Sequence, residues 1–248
     1  MRFSPIVLLV LFGLLFGCAA PEEKKAPEQD VHYILGVSYL QEGNASRALQ
    51  EFHKAHEADS GNADVLIGLG RAYQLKGAYS EAEKYYLQAL DSRPDDPLIE
   101  NNLGALYLDL QRPDDAIHYF GKAADNLMFA NAEVSLTGLG YAHFQKREYL
   151  EAISAYRKAL AQNPRYDEAH LRLGETYYAM GKTDRALGEF HQALKLNGNN
   201  IRTHFQLGLA YMKMDNPTEA TQYFRNVVRL APSTELAEQA EHYLELLQ

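Results

Sequence analysis

The stretch LGRAYQLKGAYSEAEKYYLQA, residues 69–89, carries the spacing that decides the fold. Leu69 and Gly70 are followed by Tyr73; Ala82 comes twelve residues after the glycine, the aromatic Tyr86 four later, and Ala89 closes the set. Apolar residues keep a helical period on both sides of Lys76-Gly77-Ala78, so the segment reads as two helices parted by a glycine turn. Outward from it the set returns. Leu35-Gly36-Tyr39, Leu103-Gly104-Tyr107, Leu173-Gly174-Tyr177 and Leu207-Gly208-Tyr211 repeat the opening, and Leu139-Gly140 repeats it with His143 in place of the tyrosine. Ala48, Ala116, Ala152, Ala186 and Ala220 follow in step, then Phe52, Phe120, Tyr156, Phe190 and Phe224, then Ala55, Ala123, Ala159, Ala193 and Val227. Gly36, Gly70 and Gly104 stand 34 apart, as do Gly140, Gly174 and Gly208, whereas Gly104 to Gly140 is 36.

These residues resemble the tetratricopeptide repeat, whose period is 34. The resemblance implies an all-α, right-handed superhelical solenoid: six helical hairpins over 29–62, 63–96, 97–132, 133–166, 167–200 and 201–234, with Pro94, Pro164 and Pro232 closing their units. Small residues let the two helices of a hairpin approach while the aromatics fill the space beside them. No hairpin buries its face alone, so the last one needs a cover. Leu236, Ala240, Tyr243, Leu244 and Leu247 supply it as a capping helix over 235–248. Glu42-Gly43-Asn44 and Met180-Gly181-Lys182 are further helix-ending turns, and Asp95-Asp96 and Asp114-Asp115 read as acidic helix starts that cap free N–H groups.

Residues 1–17 read as an export signal: Arg2 gives the positive start, and Ile6 to Phe16 is an apolar run too short for a permanent span. Leu15-Phe16-Gly17-Cys18 resembles the bacterial lipobox, which implies cleavage before Cys18 and lipidation of it; a simple secretory signal is the alternative. Each buried acyl methylene adds about 0.8 kcal/mol, so several chains hold firmly. By the sorting rule of many enterobacterial lipoproteins, Ala19 implies the periplasmic face of the outer membrane. Residues 18–28, with Pro21 and Pro27, read as a flexible tether.

The chain has 248 residues, a net charge of −9 and no basic stripe, which argues against nucleic acid. Cys18 is the single cysteine, excluding an internal disulfide framework and a cysteine zinc site. No phosphate loop, nucleophile elbow or dinucleotide fingerprint occurs. The sequence points to no catalytic residue, metal, cofactor or small-molecule substrate. His53 and His56 are spaced for one helix face but lack further ligands, and read as solvated surface. In the repeat family the inner helices line a concave groove that binds proteins. Carried over, its lining is Tyr33, Val37, Leu40, Ile67, Arg71, Gln74, Asn101, Ala105, Leu108, Thr137, Tyr141, Phe144, Leu171, Glu175, Tyr178, Phe205, Leu209 and Met212. About a third of these are expected in the core. Some family members clamp a partner's C-terminal carboxylate with Lys and Asn; Asn101 and Asn102 lack the lysines, which rules that use out.

The two-residue excess falls in 125–133, after Glu100-Asn101-Asn102-Leu103-Gly104. A six-repeat lipoprotein with this long junction resembles the type IV pilus biogenesis and stability lipoproteins, the pilotins of the pilus secretin. That resemblance implies a lipid-anchored, non-enzymatic protein whose partner is a secretin subunit. A scaffold for peptidoglycan enzymes or cytochrome c maturation, and a regulatory subunit for polysaccharide synthesis or export, remain open.

Overall fold

The computed structural model describes residues 28–247; the export signal and most of the tether lie outside the described residues. Among these, the chain forms thirteen helices and no strand: α1 (Glu28–Gln41), α2 (Ala45–Ala58), α3 (Ala63–Leu75), α4 (Tyr79–Ser92), α5 (Pro97–Asp109), α6 (Pro113–Asp125), α7 (Ala132–Gln145), α8 (Tyr149–Gln162), α9 (Asp167–Ala179), α10 (Thr183–Leu196), α11 (Ile201–Lys213), α12 (Pro217–Leu230) and α13 (Glu235–Leu246). Odd-numbered helices pair with the even-numbered helix that follows, and each pair packs on the next. The result is a solenoid, as the period requires.

The turn inside each pair is built alike. Asn44, Ala78, Arg112, Glu148, Lys182 and Asn216 donate their backbone N–H to the carbonyls of Tyr39, Tyr73, Tyr107, His143, Tyr177 and Tyr211, at 2.8 to 3.0 Å. This six-to-one bond closes a helix only if the residue before the donor is left-handed. Gly43, Gly77 and Gly181 adopt that conformation freely, but Gln111, Arg147 and Asp215 occupy it with φ of 56°, 61° and 57°. The loops between pairs are capped by side chains: Asn62 accepts from Asp64 N and Val65 N, Asp96 from Leu98 N and Ile99 N, and Asn200 from Thr203 N. Of the two acidic pairs read as caps, only Asp96 is one. Asp95 has a positive φ and pairs with Lys122, while Asp114 and Asp115 sit in the first turn of α6 behind Arg112, whose side chain makes no cap bond. Asp115 pairs with Arg112 at 2.7 Å and Asp114 with Lys146 at 2.8 Å, because Pro113 already occupies the first helical position.

Six rings form the axis of the core. Phe52, Tyr86, Phe120, Tyr156, Phe190 and Phe224 are at most 3% exposed, which for each contributes on the order of 1.5–3 kcal/mol. Each lies against the glycine of its own repeat: a methyl added to Gly36, Gly70, Gly104, Gly140, Gly174 or Gly208 would meet the ring at 2.5 to 2.7 Å. Phe52 and Phe120 are also pressed from the other side by Gly68 and Gly138 of the following repeat. The two extra residues lie in the α6–α7 loop, residues 126–131, where Leu127 is fully exposed and Met128 90% exposed. Helix α13 covers the last pair, its Tyr243 ring stacked 5.0 Å from Phe224.

Candidate functional site

The odd-numbered helices carry every expected groove residue among the described ones. Ile67, Thr137, Leu171 and Phe205 are buried and belong to the packing between repeats. Arg71 is exposed and the remaining thirteen are half-buried, so fewer than the expected third are core. Cys18 lies outside the described residues. Hydrogen bonds join this face from one repeat to the next: Gln74 donates to Asp109 at 2.7 Å, Ser135 to Asn101 at 2.8 Å, and Tyr178 to the Leu209 carbonyl at 3.5 Å.

The face has two chemically distinct parts. Toward the N-terminal end, Leu40, Arg71, Gln74, Leu75, Tyr86, Asn102 and Asp109 surround a cleft of about 460 Å³. The Tyr86 hydroxyl donates to Gln74 at 3.0 Å, and burial pushes the phenol far above its ordinary pKa, so it stays protonated. Asn102 Nδ2 is buried there without an acceptor. A buried unpaired donor costs about 1–3 kcal/mol, which an acceptor brought by a ligand would recover. Further along, Glu168, Arg172, Glu175 and Arg202 form a network. Arg172 contacts Glu168 at 2.6 Å and Glu175 at 3.3 Å, and Arg202 contacts Glu175 at 2.7 Å. Burial works against the Arg172 charge, but Glu175 and Glu168 outweigh it and hold the guanidinium above its ordinary pKa. It lies 4.1 Å from the Tyr141 ring centre, and Tyr141 stacks on Phe144 with centres 6.2 Å apart.

Sequence reasoning missed Arg172 and Gln206 as parts of this face and weighed Asn102 only as a clamp residue. They share one repeat position, two before the glycine, and Gly68 and Gly138 occupy it in the other interior repeats. The irregularity at that position was the available signal. His53 and His56 are not solvated surface. His53 bonds the Tyr73 hydroxyl at 2.9 Å, and both imidazoles meet the Tyr85 ring edge-on, because the outer side of α2 faces the next repeat. No group of residues suited to a metal ion occurs among the described residues.

Family models described as tetratricopeptide repeat or TPR repeat match residues 39–106, 140–181, 175–215 and 201–234. The chain belongs to the tetratricopeptide-repeat family. Among curated repeat proteins it is 27% identical to the human protein O-mannosyl-transferase TMTC3 over 75% of this chain, but spans only 22% of that relative. It likewise spans 20% of the yeast anaphase-promoting complex subunit CDC16. With the type IV pilus assembly protein PilF of Pseudomonas aeruginosa it is 24% identical, over 93% of this chain and 94% of the relative. The crystal structure of PilW, a widely conserved type IV pilus biogenesis factor, superposes with a TM-score of 0.78 at 19% identity, covering 88% of this chain and all of the other. The solved PilF structure gives 0.73 at 21% identity. No described helix of this repeat protein is long and apolar enough to cross a membrane.

Proposed function

We propose that this repeat protein is a non-enzymatic, lipid-anchored scaffold at the periplasmic face of the outer membrane, holding a type IV pilus secretin subunit during its localisation or assembly. The observation that carries the reading is co-extension. Chain and PilF match over nearly the full length of both, whereas the larger repeat proteins share only a fraction of theirs with it. The Leu-Phe-Gly-Cys18 sequence supports the anchor. The groove suits an extended or helical segment of a partner: half-buried aliphatic and aromatic side chains offer apolar contact, Arg71 supplies a cation for a side-chain carboxylate, and Asn102 Nδ2 supplies a donor for a backbone carbonyl.

The test is affinity purification of the tagged lipoprotein from gently solubilised envelopes, followed by quantitative mass spectrometry. The expected dominant partner is a secretin, and its recovery falls at least tenfold when Tyr141 and Arg71 are changed to alanine. Recovery of cell-wall enzymes, cytochrome assembly factors or a polysaccharide synthase in its place overturns the pathway.

A further inference from the structure

Six times along the solenoid an odd-numbered helix is covered by the even-numbered helix before it: α3 by α2, α5 by α4, α7 by α6, α9 by α8, α11 by α10 and α13 by α12. Among the described residues nothing plays that part for α1. The consequence appears at two repeat positions. Val65, Ile99, Ser135, Ala169 and Thr203 are at most 1% exposed, while their counterpart Val31 is 44% exposed. Leu69, Leu103, Leu173 and Leu207 are at most 2% exposed and Leu139 is half-buried, while Leu35 is 40% exposed. Ile34, one residue before, is 61% exposed. Val31, Ile34 and Leu35 lie on one helical stripe, at the end of the molecule where the chain enters the solenoid.

The upstream sequence does not repeat the covering pattern. Thirty-four residues before Ala48, Phe52 and Ala55 stand Leu14, Cys18 and Pro21, without the aromatic and with a proline where the helix would continue. Cys18 is ten residues from Glu28, a link of at most about 35 Å when fully extended. An anchored Cys18 therefore keeps this uncovered stripe within one short tether of the lipid. Confinement at that range raises the effective concentration of the bilayer, so a small aliphatic patch suffices for contact. Along the tether Glu22 and Glu23 are balanced by Lys24 and Lys25. The sequence that follows adds the acidic Glu28 and Asp30, and this acidic surplus favours zwitterionic over anionic headgroups.

We propose that the α1 stripe of Val31, Ile34 and Leu35 rests on the bilayer, with zwitterionic lipid serving as the missing cover, so that the solenoid stands end-on at the membrane. The proposal rests on the anchor reading above, and its test separates the two. The chain contains no tryptophan, so Ile34→Trp introduces a single reporter, with Val31→Trp as a second if the first misfolds by circular dichroism. The lipidated full-length variant is reconstituted in phosphatidylcholine vesicles with and without brominated lipid. Flotation reads the anchor and bromine quenching reads the stripe. Expected are co-flotation, a blue-shifted indole and at least a twofold loss of its emission, smaller in phosphatidylglycerol vesicles, with Leu150→Trp on α8 unquenched. Co-flotation with an unquenched indole at both stripe positions overturns the proposal and leaves the anchor standing. An unquenched indole that shifts blue only with rising protein concentration assigns the stripe to a second copy and overturns it as well. Loss of flotation overturns both readings.

Discussion

The six ring-and-glycine contacts set the strictest demands on individual residues. Alanine in place of Gly70 would put a methyl 2.6 Å from the Tyr86 ring. Overpacking of this kind costs about 1–3 kcal/mol, against a gain of about 1 kcal/mol from better helix propensity. Gly121 and Gly188 lie within α6 and α10 with open space where a methyl would go. We expect Gly70→Ala to lower the urea midpoint, and Gly121→Ala and Gly188→Ala to raise it by the equivalent of about 1 kcal/mol. Opposite signs for one substitution would confirm that contact, not propensity, fixes the repeated glycines. The histidines divide in a similar way. A hydrogen bond donated to the Glu189 carboxylate holds His170 above the ordinary imidazole value, against the effect of burial and with help from the Pro164 carbonyl. Burial, with His56 beside it, holds His53 below that value, and burial also lowers His204. The His170 contribution is therefore present below about pH 6.5 and lost as pH rises through its raised value, so His170→Gln costs more at pH 5.5 than at pH 8.5. For His53 and His204 the sign reverses, and their contribution is lost as pH falls below about 6.5. Proton NMR titration of the ring protons checks the order.

At the scale of the helices, the turns show what a sequence leaves legible and what it hides. Gly43, Gly77 and Gly181 announced their turns because glycine tolerates a positive φ at little cost. Gln111, Arg147 and Asp215 perform the same task without that signal, and only the period placed them. A left-handed non-glycine residue costs about 1–2 kcal/mol, partly offset by the greater unfolded-state entropy of glycine. Arg147→Gly is expected to stabilise by about 0.5–1 kcal/mol, and Gly181→Ala to destabilise by a similar amount, in parallel chemical denaturation. The hairpins were readable because they follow a period, and the expected groove residues fall on odd-numbered helices because they keep a fixed offset from Leu-Gly. The Glu168, Arg172, Glu175 and Arg202 network was not readable, because it joins neighbouring repeats at positions that carry no common residue type. The acidic pair Asp114-Asp115 misled for a related reason: Pro113 opens the helix on its own, and the carboxylates turn to Arg112 and Lys146 instead.

For the whole molecule, the expected division of labour is between an anchor and a self-sufficient solenoid. Cys18→Ala is predicted to leave circular dichroism and thermal midpoint unchanged while moving the protein from the membrane fraction to the soluble fraction; loss of folding would contradict the tether. Removing residues 235–248 should do the reverse, because Phe205, Phe224 and Val227 pack under α13 with its Tyr243 and Leu244. That truncation is expected to lower the midpoint and bring on aggregation, read by light scattering. The rings gripped on both sides carry a mechanical meaning as well. Phe52 is held between Gly36 and Gly68, and Phe120 between Gly104 and Gly138, so those two joints act as geared hinges in which neither repeat turns without moving the other. At the joints where Asn102, Arg172 and Gln206 stand in place of the second glycine, that close glycine contact is absent, and Arg172 and Gln206 bond Glu175 instead. Under an axial pull the solenoid is therefore expected to behave as a spring of unequal coils, yielding first at the joints that lack the second glycine.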